Sequence, residues 1–170
     1  MLAKEGCQVT CLDRSPQALE SISETFLKFG VDTLPERVLA DITHPLDFLS
    51  SECTFDILID HYSLYSNLRV NIVEAFQQYR QLAAPGALFL TCCFGTATSS
   101  FGTGIKVDDG CYRDIPIGPL AGRGLVTFFS SQEFRAIVED QGYGIEYHES
   151  IKLNSSAGKI EKLAFALRCP

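Results

Sequence analysis

Phe55-Asp56-Ile57-Leu58-Ile59-Asp60 and, further on, Ala87-Leu88-Phe89-Leu90-Thr91-Cys92 carry the reading of the fold. Both are apolar runs too short for a free-standing helix, and both read as strands. Between them Ile72, Ala75, Phe76, Tyr79 and Leu82 recur at helical spacing from Leu68 to Ala83, and Pro85-Gly86 ends that helix. Strand, amphipathic helix and strand make a crossover unit, which implies parallel pairing. The near-continuous apolar character of the two strands predicts burial on both faces.

The same alternation extends outward. Upstream, Gln8-Val9-Thr10-Cys11-Leu12 is a short strand ending on Asp13, and Ser15-Pro16 supplies an N-cap with proline at the first helical position. Leu19, Ile22, Phe26 and Leu27 give that helix an apolar face, and Gly30 is a natural stop. Val38-Leu39-Ala40 is a further strand, ending on Asp41. Downstream, Leu125-Val126-Thr127-Phe128-Phe129 precedes the capping box Ser130-Ser131-Gln132-Glu133 and a helix that ends at Gly142. Tyr143 to Leu153 and Lys162 to Arg168, joined through Asn154-Ser155-Ser156-Ala157-Gly158, predict an antiparallel hairpin. Residues 95–124 hold seven glycines and two prolines and are expected to form an irregular insertion or lid. The whole, residues 1–170, reads as one α/β domain: a Rossmann-like, mostly parallel sheet with helices on both faces and a C-terminal antiparallel hairpin.

Composition narrows the function. A net charge of −7 and a pI near 4.9, with no run of even three basic residues, argue against nucleic-acid binding, which needs clustered Lys and Arg. No apolar run approaches the ~18 residues of a membrane span, and the start lacks a secretory pattern, so a cytoplasmic protein with a small-molecule partner is expected. Seven cysteines without a C-x-x-C pair, and three scattered histidines, read as reduced buried thiols and no metal site.

Four features together resemble a class I S-adenosylmethionine-dependent methyltransferase. Leu2-Ala3-Lys4-Glu5-Gly6 followed by Val9-Thr10-Cys11-Leu12-Asp13-Arg14-Ser15 is similar to the family's second strand, whose terminal acid holds the ribose hydroxyls. Asp41-Ile42 stands where the family places an acid near the adenine. Phe55 to Asp60 with Leu82-Ala83-Ala84-Pro85-Gly86 resembles the family's "FDLV…LKPGG" region, and Gly142-Tyr143 its "GF" ending. The resemblance implies S-adenosyl-L-methionine as cofactor, held by Asp13, Arg14, Asp41, Ile42 and Asp60. Strand-end acids support this independently, because open parallel sheets bind ligands at the carboxyl ends of their strands. His61 follows the third strand and is the candidate general base, since imidazole exchanges protons near neutrality. Tyr62 and Tyr65 are candidates to pack on the methionine part, and Tyr112, Arg113 and Arg123 to face the acceptor.

The family's first strand and its glycine loop find no counterpart in the sequence, and Leu2 to Gly6 resembles the end of the helix that follows that loop. Weak cofactor binding is therefore expected of these 170 residues. The absent strand belongs between the Val9–Leu12 and Asp56–Ile59 strands, so these are expected to close up and pair directly, to take up another copy in the gap, or to leave exposed edges that lower solubility, with direct pairing the favoured outcome. Two other readings stand beside methyl transfer: an NAD-dependent oxidoreductase, since Asp13 also suits a nicotinamide ribose, and a non-catalytic interaction protein on a methyltransferase scaffold. The acid at Asp41 and the closing hairpin count against the first.

Overall fold

The structure is a computed structural model describing residues 2–50 and 54–170. Its elements run β1 (Thr10–Asp13), α1 (Pro16–Lys28), β2 (Glu36–Leu39), β3 (Phe55–His61), α2 (Arg69–Leu82), β4 (Ala83–Gly95), β5 (Ile105–Asp108), β6 (Cys111–Arg113), β7 (Val126–Phe129), α3 (Ser131–Asp140), β8 (Gly144–Ser155) and β9 (Gly158–Arg168). Short 3-10 turns cover Leu2–Glu5, Pro45–Asp47 and Leu64–Ser66. The cap signals act as the residues dictate. The Ser15 hydroxyl accepts from the Ala18 N–H, and Ser130 and Glu133 cap each other's backbone N–H reciprocally.

The strands divide into two sheets. β1 and β2 pair in parallel, Thr10 opposite Glu36 through Asp13 opposite Leu39. The larger sheet runs β5-β6-β7-β4-β9-β8, with β3 beside β4. β3 lies parallel to β4 from Ile57 opposite Leu88 to His61 opposite Cys92. β9 lies antiparallel on the other edge of β4, and β8 closes the hairpin antiparallel to β9. The parallel ladders thus belong to the crossover strands, while antiparallel ladders come from the hairpin and from the insertion.

One face of the larger sheet carries the core. Leu58, Phe89, Cys93, Leu163, Phe165 and Leu167 point to Ile72, Ala75 and Phe76 of α2 and to Phe134 and Val138 of α3. Phe76, fully buried, meets the rings of Phe89, Phe134 and Tyr143 at 5.3–5.8 Å, and the Tyr143 hydroxyl donates to its carbonyl at 2.7 Å. Burying such a ring is worth about 1.5–3 kcal/mol. The expectation that β3 and β4 are covered on both faces fails. Ile57, Ile59 and Leu90 alternate with the buried residues and are 39%, 57% and 38% exposed, because α2 and α3 stack on the other face.

The expected direct pairing of the strands on either side of the gap also fails. β1 pairs only with β2, β3 only with β4, and no ladder joins β1 to β3. The smaller sheet is attached instead through the chain that follows β2. The Tyr79 hydroxyl of α2 donates to the Ile42 carbonyl at 2.8 Å, and Gln78 Oε1 accepts from the Leu46 N–H at 3.2 Å.

Residues 95–124 are more regular than an irregular insertion. Asp109-Gly110 turns β5 into β6, Gly110 taking φ +68°, and β6 pairs with β7, which continues parallel to the tip of β4. Arg69 fastens this hairpin: its guanidinium donates to the carbonyls of Asp109 and Phe128, lies 3.6 Å from Glu133 and sits over the Phe129 ring at 4.8 Å. The stretch after β4 is tied to β9, Ser99 N–H donating to the Lys159 carbonyl at 2.8 Å and Ala97 N–H to the Glu161 carboxylate at 2.8 Å. Of the thiols, Cys93, Cys111 and Cys169 are buried, but Cys7 is exposed, since it lies on the open stretch before β1. Cys53 lies outside the described residues.

The open face and the unpaired edge of β3 together present a surface suited to self-association. Ile59→Lys places a charge on that face without touching the core. It is expected to raise solubility and suppress oligomers in analytical ultracentrifugation while leaving the melting temperature unchanged.

Candidate functional site at the carboxyl ends of the strands

Asp13 is the last residue of β1, Asp41 follows β2 by two residues, and Asp60 precedes the last residue of β3. All three therefore stand at the carboxyl end of a parallel strand. A cavity of about 150 Å³ opens there between the two sheets, lined by Asp13, Arg14, Asp41 and Ile42 on one side and Ser63, Ser66 and Asn67 on the other. A larger cavity of about 340 Å³ lies at the opposite end of β1, between residues 3–10 and 33–36 with Phe26 beneath, far from the strand-end acids.

The acids differ in what they already hold. Asp13 Oδ1 accepts the Ser15 N–H at 2.8 Å, which shapes the turn into α1. Its second oxygen has no protein donor among the described residues. Asp41 Oδ1 accepts both the Thr43 N–H at 2.8 Å and the Thr43 hydroxyl at 2.7 Å, and these bonds hold its carboxyl below the ordinary carboxylate value. Asp41 therefore turns the chain before Pro45 and lines the cavity at once.

Asp60 is 8% exposed and does not line the cavity. Its Oδ1 accepts from the N–H groups of Ser63 at 2.9 Å and Leu64 at 3.1 Å, and its Oδ2 from the Thr91 hydroxyl at 2.9 Å. Burial nevertheless pushes its carboxyl above the ordinary value, with these three bonds acting the other way. The turn it organises forces Tyr62 to φ +62°, a left-handed conformation that a bulky residue adopts only when its surroundings impose it.

The Tyr62 ring stacks on Phe94 at 5.0 Å and meets His61 edge-on at 4.7 Å. Desolvation pushes its phenol up to about 12. Tyr65 is 5% exposed and belongs to the core. His61 is exposed, with no side-chain hydrogen bond among the described residues, and its charge acts to lower the neighbouring Asp60 carboxyl. Tyr112 packs on Phe101 and Phe128, Arg113 pairs with Asp114 at 3.8 Å, and neither these nor Arg123 line the cavity.

Sequence reasoning missed the far wall. Ser63, Ser66 and Asn67 are short polar residues directly after a strand-end Asp-His-Tyr, the composition of a turn that presents backbone and hydroxyl donors, and that signal was available. Tyr79 read only as a helix-face residue. Among the described residues no cluster of His, Cys, Asp and Glu has the grouping of a metal site, and no helix is long and apolar enough to cross a membrane.

Solved structures share this architecture. A SAM-dependent methyltransferase from Methanosarcina mazei superposes with a TM-score of 0.75 at 17% identity, covering 98% of this chain and 84% of its own. The chain has the class I methyltransferase fold. A 1,6-didemethyltoxoflavin-N1-methyltransferase from Burkholderia thailandensis, solved with 1,6-didemethyltoxoflavin and S-adenosylhomocysteine bound, matches with a TM-score of 0.67 at 16% identity over 98% of this chain and 63% of that one. The same fold serves SpnF, a [4+2]-cyclase, with a TM-score of 0.70 at 11% identity over 99% and 70% of the two chains. No protein-family model matches the sequence, and no curated protein matches it. One fold thus serves proteins of different chemistry, and function has to be argued from the side chains at the site.

Substitutions at two residues, Asp60 and Tyr79, probe how the site is held. A raised folded pKa means that Asp60 favours the folded state fully below its ordinary value of 3.8, and that this contribution is lost as pH rises through the raised value. Once ionised, the buried carboxyl is a cost. Asp60→Asn keeps an acceptor for Ser63 and Leu64 and a partner for Thr91, so its melting temperature at pH 7 should equal or exceed that of the parent and vary less with pH. Asp60→Ala leaves those donors unmet and should cost at least ~2 kcal/mol in urea denaturation. Tyr79→Phe removes the bond to Ile42, and should speed amide exchange in β1 and β2 while leaving β9 protected.

Proposed function

We propose that this chain transfers a methyl group from S-adenosyl-L-methionine to a small-molecule acceptor. The observation that carries the reading is the Asp13 carboxylate. One of its oxygens is fixed by Ser15, and the other has no protein donor among the described residues, while the side chain lines a cavity at the carboxyl end of the strands. A carboxylate so placed fits the vicinal hydroxyls of a ribose, accepting charge-assisted hydrogen bonds. The fold supports the reading, as does the small acceptor named for the Burkholderia neighbour.

In this reading Asp13 holds the ribose hydroxyls, while Asp41 and Ile42 flank the base. The bound cofactor supplies an electrophilic methyl on a sulfonium. Asp60 acts as a positioning residue: it fixes the Ser63–Leu64 backbone and through it the far wall. The chain's contribution to rate is mainly placement and exclusion of water at the strand ends. His61, exposed beside the Tyr62 ring, is the candidate base for an acceptor proton.

The test is a titration of 15N-labelled protein with S-adenosylhomocysteine. Amide shifts should concentrate at residues 13–15, 41–43 and 63–67, and Asp13→Ala should weaken binding by about tenfold or more. Binding unaffected by Asp13→Ala, or shifts confined to the cavity at the other end of β1, would overturn the assignment.

A further inference from the structure

Three basic side chains among the described residues are half-buried: Arg69, Lys162 and Arg168. Arg69 lies 3.6 Å from Glu133, and Arg168 is paired with Glu146 at 2.7 Å. Lys162 has no carboxylate within salt-bridge distance among the described residues. It faces an aromatic ring instead: the ammonium stands over Tyr62, 5.4 Å from the ring centre. A partly desolvated ammonium normally keeps a counter-charge, because losing water without one costs free energy.

Its place makes this informative. Lys162 lies opposite Phe94 in the β4–β9 ladder, and Phe94 is the residue on which Tyr62 stacks. Tyr62 in turn adjoins Ser63 on the cavity wall. Its ring is held there by a strained backbone conformation at φ +62°, which persists because Asp60 fixes the turn. No hydrogen-bond partner of the Tyr62 hydroxyl exists among the described residues, so the ring is not held in place for a structural bond at its tip. Next in the chain to Ser63 of the cavity wall there therefore stands an aromatic ring, and over it an ammonium with no carboxylate partner among the described residues.

We propose that Tyr62 and Lys162 form the acceptor-recognition shelf, and that the acceptor is a planar aromatic molecule bearing an anionic group. The ring lies against Tyr62, and the carboxylate or phosphate replaces the missing partner of Lys162. This rests on the methyl-transfer reading only in calling the ligand an acceptor; the shelf itself stands on the geometry.

The probe pair is 4-hydroxybenzoate and its neutral analogue 4-hydroxybenzamide, titrated by NMR into the full chain, with and without S-adenosylhomocysteine. The benzoate should bind about fivefold more tightly, with a preference that shrinks as salt rises. The largest shifts should fall at Tyr62, Phe94 and Lys162. Lys162→Met, which keeps the aliphatic stem, should bring the two probes to parity without changing the melting temperature. Lys162→Gln serves as the second neutral variant should the first not fold. Tyr62→Gly relieves the left-handed strain and should remove binding of both probes. Equal affinity of the two probes for the parent protein, or a preference that survives in the neutral variants, overturns the shelf. Charge-dependent binding without any S-adenosylhomocysteine binding would keep the shelf and overturn the methyl-transfer reading instead.

Discussion

The hydrogen bond from the Tyr79 hydroxyl to the Ile42 carbonyl is the interaction on which the candidate site depends. β1 and β2 share no ladder with the larger sheet, so the usual means of fixing one strand against the next does not operate between them. What remains is side-chain attachment from one face of α2: Tyr79 to Ile42, Gln78 to Leu46, and Glu74 4.0 Å from His44. Burial pushes the Tyr79 phenol well above its ordinary value, which keeps it a donor at every physiological pH. A single bond of this kind is worth only about 1 kcal/mol net. The smaller sheet rests on few buried apolar residues, chiefly Leu19, Phe26, Val31 and Ala40, whereas the larger one has a continuous core. It is the part of the molecule most open to local unfolding.

Asp60 sets the opposite wall by a different means. A buried carboxylate at the end of β3 collects two backbone N–H groups and a hydroxyl, and in doing so dictates the path of residues 61–64. The left-handed Tyr62 is a consequence, and with it the stacking on Phe94 and the approach of Lys162. An acid that the sequence marked for ligand contact thus works through the backbone it anchors. Burial disfavours its charged form, yet the carboxyl fixes local geometry, a trade of stability for placement seen where sites are built.

Much of the architecture was legible because local signals agreed with one another. Ser15-Pro16, the Ser130–Glu133 capping box and the turn within 154–158 each mark a boundary by a specific backbone requirement, and the elements they bound are present, whereas Pro85-Gly86 lies inside β4, three residues past the end of α2. The strand-end acids were legible for the same reason, since strand direction follows from alternation with helices. What was not legible is what depends on neighbours. Periodicity in β3 and β4 reads as burial on both faces, but burial needs a second layer, and a single segment does not carry that information. The β5–β6 hairpin was legible in principle from Ile105-Lys106-Val107-Asp108 before Asp109-Gly110, a turn dipeptide between alternating residues, but the surrounding glycines hid it. Gly95 shows the opposite case: a side chain there would overlap the Glu161 carboxylate, a contact between residues far apart in the chain.

The two walls of the cavity belong to two sheets, and this joins ligand affinity to stability. Asp13, Arg14, Asp41 and Ile42 move with β1 and β2; Ser63, Ser66 and Asn67 move with β3 and α2. A ligand touching both walls makes, across the gap, contacts that no ladder makes. Whatever free energy it gains in doing so is gained only when the smaller sheet is docked, so binding selects that arrangement out of a population with looser ones. The apparent affinity is reduced by the fraction of molecules in which the sheet is undocked, and the bound protein is stabilised by about 2.7 kcal/mol at a hundredfold excess over Kd. Weak attachment through Tyr79 is therefore also a determinant of affinity. Any contact that strengthens the junction, whether a bond from α2 or a strand completing the β1 and β3 edges, raises affinity at Asp13 without touching the ligand.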